Sequence, residues 1–169
     1  MKVISLTFAI FIFILPLFGC SVNTEAEKEC ITDTVEQLNI PAMRIEAEIP
    51  QEATLALSRD DGRYVVYSHK DYEITGEIFH VNTWEQAFVH ISGRDSGSLR
   101  PILADNFPQE KYRCTWTTAG EVGPELWQSV IFYDGTYFYA LTIQCPTDVA
   151  ATYEKEFSTV LSFSKLCDV

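Results

Sequence analysis

The sequence predicts an α+β fold: an antiparallel β-sheet with a short middle helix and a C-terminal helix packed on the sheet. Three observations predict it. Residues 111–118 alternate polar and apolar, an Asp134-Gly135 pair separates two apolar runs, and residues 149–164 repeat at helical spacing behind Pro146. Nothing in the 169 residues repeats, and there is no heptad run, low-complexity tract or second core-forming region.

The chain opens with Lys2 and an apolar run through residue 18 that is interrupted only by Ser5, Thr7 and Pro16. That is the n-region and h-region of a signal peptide, spanning 1–19. Leu17, Phe18, Gly19 and Cys20 resemble the bacterial lipobox, which implies a bacterial lipoprotein with palmitate-type acyl chains on Cys20. The run is short for a membrane-spanning helix, and the polar stretch 20–29 suits a tether between lipid and domain. Two or three acyl chains, at about 0.8 kcal/mol per buried CH₂, hold a protein stably at a membrane. Ser21 after the cysteine resembles the pattern for export to the outer membrane, facing the periplasm. The folded domain is then 30–169.

Met43, Ile45, Ala47 and Ile49 alternate with Arg44, Glu46 and Glu48, predicting a first strand that Pro50 ends. Residues 54–58 read as a second strand, turned by Asp60-Asp61-Gly62 into a third over 64–68 and a fourth over 72–81. A short helix follows. Thr83 and Gln86 form a capping-box pattern, Trp84, Ala87, Phe88 and Ile91 share a face, and Gly93 closes it. Residues 94–110, with Gly97, Pro101 and Pro108, read as a long irregular connection.

Tyr112, Cys114, Trp116 and Thr118 take one face of the next strand, and Lys111, Arg113, Thr115 and Thr117 take the other. Residues 126–133 are apolar on both faces and so central; Asp134-Gly135 turns them into a strand over 136–145. With Cys20 lipidated, Cys30, Cys114, Cys145 and Cys167 remain, an even number in a compartment that permits disulfide bonds, with three possible pairings. In this meander Cys114 lies level with Ile131 and Phe138, while Cys145 lies two strands over and about seven residues along. At about 3.3 Å per residue and 4.8 Å between strands, that gap is too wide to bridge. A C-terminal helix carrying Val149, Tyr153, Phe157, Val160, Leu161 and Ser164 returns the chain toward the hairpin end. The pairing expected is Cys114 with Cys167, leaving Cys30 with Cys145.

Strands ending in residues 137–143 that lead directly into a helix with Tyr153, Phe157, Val160 and Phe163 resemble the closing unit of PsbP-like proteins. Bacterial DcrB-like lipoproteins belong to the same structural group. The ending Leu161-Ser162-Phe163-Ser164-Lys165-Leu166 is similar to the Ser-Phe-Lys ending common there, with one Ser inserted. The resemblance covers the C-terminal third. It implies an antiparallel sheet with helices on its faces and a role in binding or assembly, and carries no catalytic residue over.

The formal charge is -12, and loss of Lys2 with the signal peptide, which holds no acidic residue, takes it to -13. So acidic a chain is excluded as a nucleic-acid binder and suits a cationic protein partner. His69, His80 and His90 have neither HxH nor HExxH spacing, so no metal or cofactor is expected. Asp95-Ser96-Gly97 resembles the nucleophile region of trypsin-like proteases, but the chain has no room for that family's two barrels. Trp84, Trp116 and Trp127 read as core aromatics. The expectation is a non-catalytic envelope lipoprotein that binds or assembles with a protein; the alternative is a periplasmic immunity protein neutralising a secreted toxin. Partner-binding candidates are Arg94, Asp95, Arg100 and Asp105, in the long polar connection.

Overall fold

The computed structural model describes residues 43–106 and 109–167, all within one compact unit. The expected leader, Cys20, the expected tether and Cys30 lie outside the described residues, so the lipid and the Cys30–Cys145 pairing remain expectations from the sequence. In chain order the elements are β1 (Ile45–Glu46), β2 (Thr54–Arg59), β3 (Tyr64–Ser68), β4 (Glu73–Phe79), α1 (Trp84–Ser92), α2 (Ser96–Leu99) and β5 (Ile102–Asp105). Then come β6 (Lys111–Ala119), β7 (Pro124–Tyr133), β8 (Phe138–Pro146), α3 (Glu154–Phe163) and β9 (Lys165–Leu166).

Seven strands form one antiparallel sheet in the order β2-β3-β4-β8-β7-β6-β5, and β1 pairs separately with β9. From β4 the chain passes through α1 and α2 to the far edge, then returns strand by strand until β8 closes against β4. This route places one helical layer on each face. On one face Val130, Phe132, Tyr139, Leu141 and Ile143 pack with Phe157, Val160 and Leu161 of α3. On the other Cys114, Trp116, Ile131, Phe138 and Ala140 pack with Ala87, Phe88 and Leu99. Strands β7 and β8 are apolar on both faces because both faces are covered, and each large core side chain contributes about 1.5–3 kcal/mol by burial.

Local signals explain the helix ends. Thr83 accepts a hydrogen bond from the Gln86 N–H at 3.2 Å, and Gly93 closes α1 at φ 69°, where a side chain is disfavoured. The Gln86 side chain accepts from Asn82 N–H, one residue before the reciprocal partner of a standard capping box.

The sheet differs from expectation in five places. The first strand keeps its alternation, with Met43, Ile45, Ala47 and Ile49 on the α3-side core, but among the described residues only Ile45 and Glu46 of it have a strand partner. Residues 94–110 hold a helical turn and the edge strand β5. The C-terminal helix begins as a separate 3-10 turn (Ala150–Thr152) before α3. In the hairpin, the Asp134 side chain accepts from the N–H groups of Thr136 and Tyr137 and draws the turn forward, so Tyr133 pairs with Phe138. The β6–β7 pairing is displaced as well, with Ala119 opposite Pro124, so Cys114 is level with Ser129 and, across β8, with Thr142.

The fifth correction concerns the disulfide. Among the described residues Cys114 and Cys167 are unpaired, and they lie on opposite sides of the sheet. Cys114 is buried under α1 and α2, whereas Cys167 follows β9 and donates to Glu46 Oε2 at 3.4 Å. The returning helix does reach the hairpin end, since Arg44 joins Cys167 O to Asp134, but it does so on the face that Cys114 does not share. Cys145, unpaired among the described residues, is buried on the α3 side.

Candidate functional site

The connection read as irregular builds the most distinctive surface. Arg94 leaves α1 with its N–H bonded to Ser92 Oγ, and its guanidinium Nη2 reaches 2.5 Å from Thr117 O on β6. Asp95 caps α2 by accepting from Ser98 N–H at 2.7 Å, and that bond holds its carboxyl below the usual carboxylate range. Glu85 of α1 accepts from Ser96 N–H, tying the two helices together. Arg100 then takes the left-handed conformation at φ 52° and ψ 58°, which redirects the chain into β5.

Strand β5 is the outer edge of the sheet, and all four of its residues are exposed. Ile102 is 68% and Leu103 48% exposed. Ile102 stands opposite Arg113 and Asp105 opposite Lys111 on β6, with a bulge between Leu103 and Asp105. A cleft of about 530 Å³ opens between α2 and β6, lined by Leu99, Arg100, Ile102, Arg113 and Thr115 among others. A second, of about 370 Å³, lies on the α3 side between Ile102, Ala104, Asp105, Lys111, Arg113 and Ser162. Phe163, which follows Ser162, is 69% exposed.

Of the four residues singled out from sequence, Arg100 and Asp105 stand at this edge. Arg94 and Asp95 are turned into the local scaffold. The sequence reading missed Lys111 and Arg113, which it assigned to a solvent face. Lys111 is buried; its ammonium donates to Ser162 O at 3.1 Å and Ser164 O at 2.8 Å, where a helix C-terminus favours a cation. Burial, with Arg113 nearby, pulls its pKa below that of an ordinary lysine. Arg113 donates to Ser162 Oγ at 2.8 Å, while its buried Nε has no acceptor among the described residues. The available signal was the apolar run of the last helix, which has to cover one face of the sheet.

Elsewhere, Trp116 is buried and stacks on Trp127, and Trp84 packs in the α1-side core. His69 stacks on Tyr72, His90 stacks on Phe79 beside Glu77, and His80 is exposed. Among the described residues no group of His, Cys, Asp or Glu is arranged to hold a metal ion. No helix among them is long and apolar enough to cross a membrane.

No family model and no curated protein matches the sequence. Solved structures do match. The cyanobacterial PsbP protein of Synechocystis has a TM-score of 0.54 at 12% identity, over 73% of this chain and 87% of its own. The fold is PsbP-like. The PsbP-like sheet recurs in LpqN, involved in cell envelope biogenesis of Mycobacterium tuberculosis, with a TM-score of 0.50 at 11% identity over 73% of this chain and 83% of LpqN. A protein from Bacteroides thetaiotaomicron has a TM-score of 0.50 at 10% identity over 74% of this chain and 46% of its own. At these identities the likeness is one of fold, and function has to be argued from the surface of this chain itself.

Proposed function

We propose that this chain is a lipid-anchored protein of the bacterial cell envelope that binds a protein partner, in a docking or assembly role without chemistry of its own. Residues 1–19 serve as the leader, Cys20 carries the lipid, 20–29 form the tether, and the domain faces the periplasm from the outer membrane. The likeness of fold to LpqN supports the envelope setting.

The observation that carries the binding role is the α2–β5 edge. Single exposed apolar residues are ordinary on a protein surface. Ile102 and Leu103 are adjacent on an unpaired edge, Phe163 follows a residue lining the same cleft as Ile102, and charged Arg100 and Asp105 flank them. An apolar centre with a polar rim is the composition of an interaction surface. Arg94 and Asp95 act in partner binding by holding α2 and β5 in place.

The test is capture of partners from native membranes with the full-length lipidated chain and with an Ile102→Asp, Leu103→Asp double variant. The expected result is one protein recovered in stoichiometric yield with the wild type and lost with the variant. Equal recovery by both removes the edge as the docking surface. Recovery of a toxin domain would replace the assembly role with immunity.

A further inference from the structure

We propose that the segment docked at this edge is an acidic, extended stretch of the partner protein, lying along β5 with its carboxylates toward Arg100 and Arg113. The proposal rests on the docking reading above and adds the chemistry of the occupant.

The backbone shows how an extended chain fits. Gly120 N–H bonds to Gly123 O at 2.8 Å, so the even-numbered residues of β6 turn their backbone groups toward β7 and the odd-numbered ones toward β5. The Arg94 bond to Thr117 O agrees with this parity. Ile102 and Asp105, opposite Arg113 and Lys111, therefore direct their backbone groups into the sheet. Leu103, with Ala104 in the bulge, turns outward. Strand β6 also continues from Thr115 to Ala119, where no strand among the described residues lies beside it on that side. Edge strands with free backbone groups accept added strands. Pro101, which has no N–H, and the bulge keep the open stretch short, so side chains must supply much of the affinity and the choice of partner.

Charge decides that choice. Asp105 lies opposite Lys111 and raises its pKa, a partial offset of the ammonium. The Asp95 carboxylate is occupied by the α2 turn, and the exposed Glu110 precedes Lys111. Arg100 is exposed, and among the described residues neither it nor Arg113 forms an ion pair with a carboxylate. Arg100 and Arg113, without ion-pair partners among the described residues, both line the cleft beside α2, in a chain whose formal charge is -12, while the Arg113 guanidinium reaches over the edge to Ser162. The cationic segment that the net charge favours would meet like charge here. A carboxylate beside these groups gains charge-assisted hydrogen bonds and offsets the partly desolvated Arg113.

The probe is a synthetic peptide of alternating glutamate and valine, with an alternating lysine and valine peptide as its counterpart. Each is titrated into the isotope-labelled full-length chain in detergent micelles and followed by amide NMR. The glutamate peptide is expected to shift the amides of Leu103, Ala104 and Thr115 saturably, and Arg100→Glu to weaken binding about tenfold. Arg100→Asn, which keeps a residue that tolerates positive φ, checks that the loss follows charge rather than fold, and is expected to weaken binding less. Binding of the lysine peptide at these amides with equal or greater affinity overturns the proposal, as do shifts confined to other residues or undiminished binding by Arg100→Glu. If the peptides show no preference while the Ile102→Asp, Leu103→Asp variant still loses its membrane partner, the acidic segment is rejected and the docking surface stands. Equal capture by that variant and the wild type rejects both.

Discussion

Replacing Asp134 with alanine should be among the most damaging single polar substitutions in the domain. One carboxylate oxygen accepts from Thr136 N–H at 2.9 Å and Tyr137 N–H at 2.8 Å; the other accepts from Arg44 Nη1 at 2.8 Å and Tyr139 OH at 2.9 Å. The two turn bonds contribute about 0.5–1.5 kcal/mol each, and the bond to the guanidinium about 1.5–3 kcal/mol. Alanine also leaves the hydroxyl of the fully buried Tyr139 without its acceptor. With partial relaxation, the loss should be about 3–4 kcal/mol. Asparagine retains an acceptor for the turn and loses the charge, so it should cost about 1–2 kcal/mol.

The same residue gives a pH signature. Burial pushes the Asp134 carboxyl up, but the bonds from Tyr137, Thr136 and Tyr139, with the charge of Arg44, outweigh burial and hold it below the usual range. A depressed carboxyl contributes stability that is fully present above its unfolded pKa of about 3.9 and is lost as pH falls through the folded value. Urea unfolding of wild type and Asp134→Asn should therefore show a constant gap near neutrality that narrows below about pH 4. A cost under about 1 kcal/mol for alanine, or a gap unchanged in acid, refutes the reasoning.

Other consequences follow from burial and close packing. In a Cys30→Ser background, Cys167 should react with a thiol reagent under native conditions before Cys114, whose pKa burial raises to about 12, and before the buried Cys145. Mass spectrometry of the labelled peptides checks the order, and early labelling of Cys114 contradicts it. Gly76→Ala should destabilise by about 1–3 kcal/mol, because a Cβ there would sit 2.9 Å from the stiff Val65 Cγ2 and 3.2 Å from Met43 Cε. An unchanged melting curve would show that β3 and β4 yield more easily than their spacing implies. Lys111→Ala should lower stability by about 1–3 kcal/mol by taking the donor from Ser162 O and Ser164 O. Calorimetry measures the loss, and a neutral result would mean that water replaces the ammonium.

The sequence was most legible where one local rule acted alone. The run 64–68 behind the Asp60-Asp61-Gly62 turn matches β3, and Thr83, Gln86 and Gly93 mark the ends of α1. Strand β5 was hidden because four residues exposed on both faces carry no alternation to read. The hairpin register was hidden in the Asp134 side chain, which serves the turn as a backbone surrogate and moves it forward along the chain. The cysteine pairing failed at a further remove: the face taken by Cys114 followed from alternation, but the face that α3 covers did not. At the candidate edge, Arg100 and Asp105 were visible as charges in a long connection. The positions of Lys111 and Arg113 depended on the C-terminal end of α3 reaching the first residues of β6.

The docking surface is tested most directly by placing a photo-crosslinking residue at Leu103 of the full-length chain in its native envelope, with the same residue at Leu55 on the opposite sheet edge as the comparison. Leu55 is 57% exposed, so exposure alone does not favour Leu103. A discrete protein adduct from position 103 and none from position 55 is the result predicted. An adduct from position 55 alone, or none from position 103, contradicts the assignment of the α2–β5 edge.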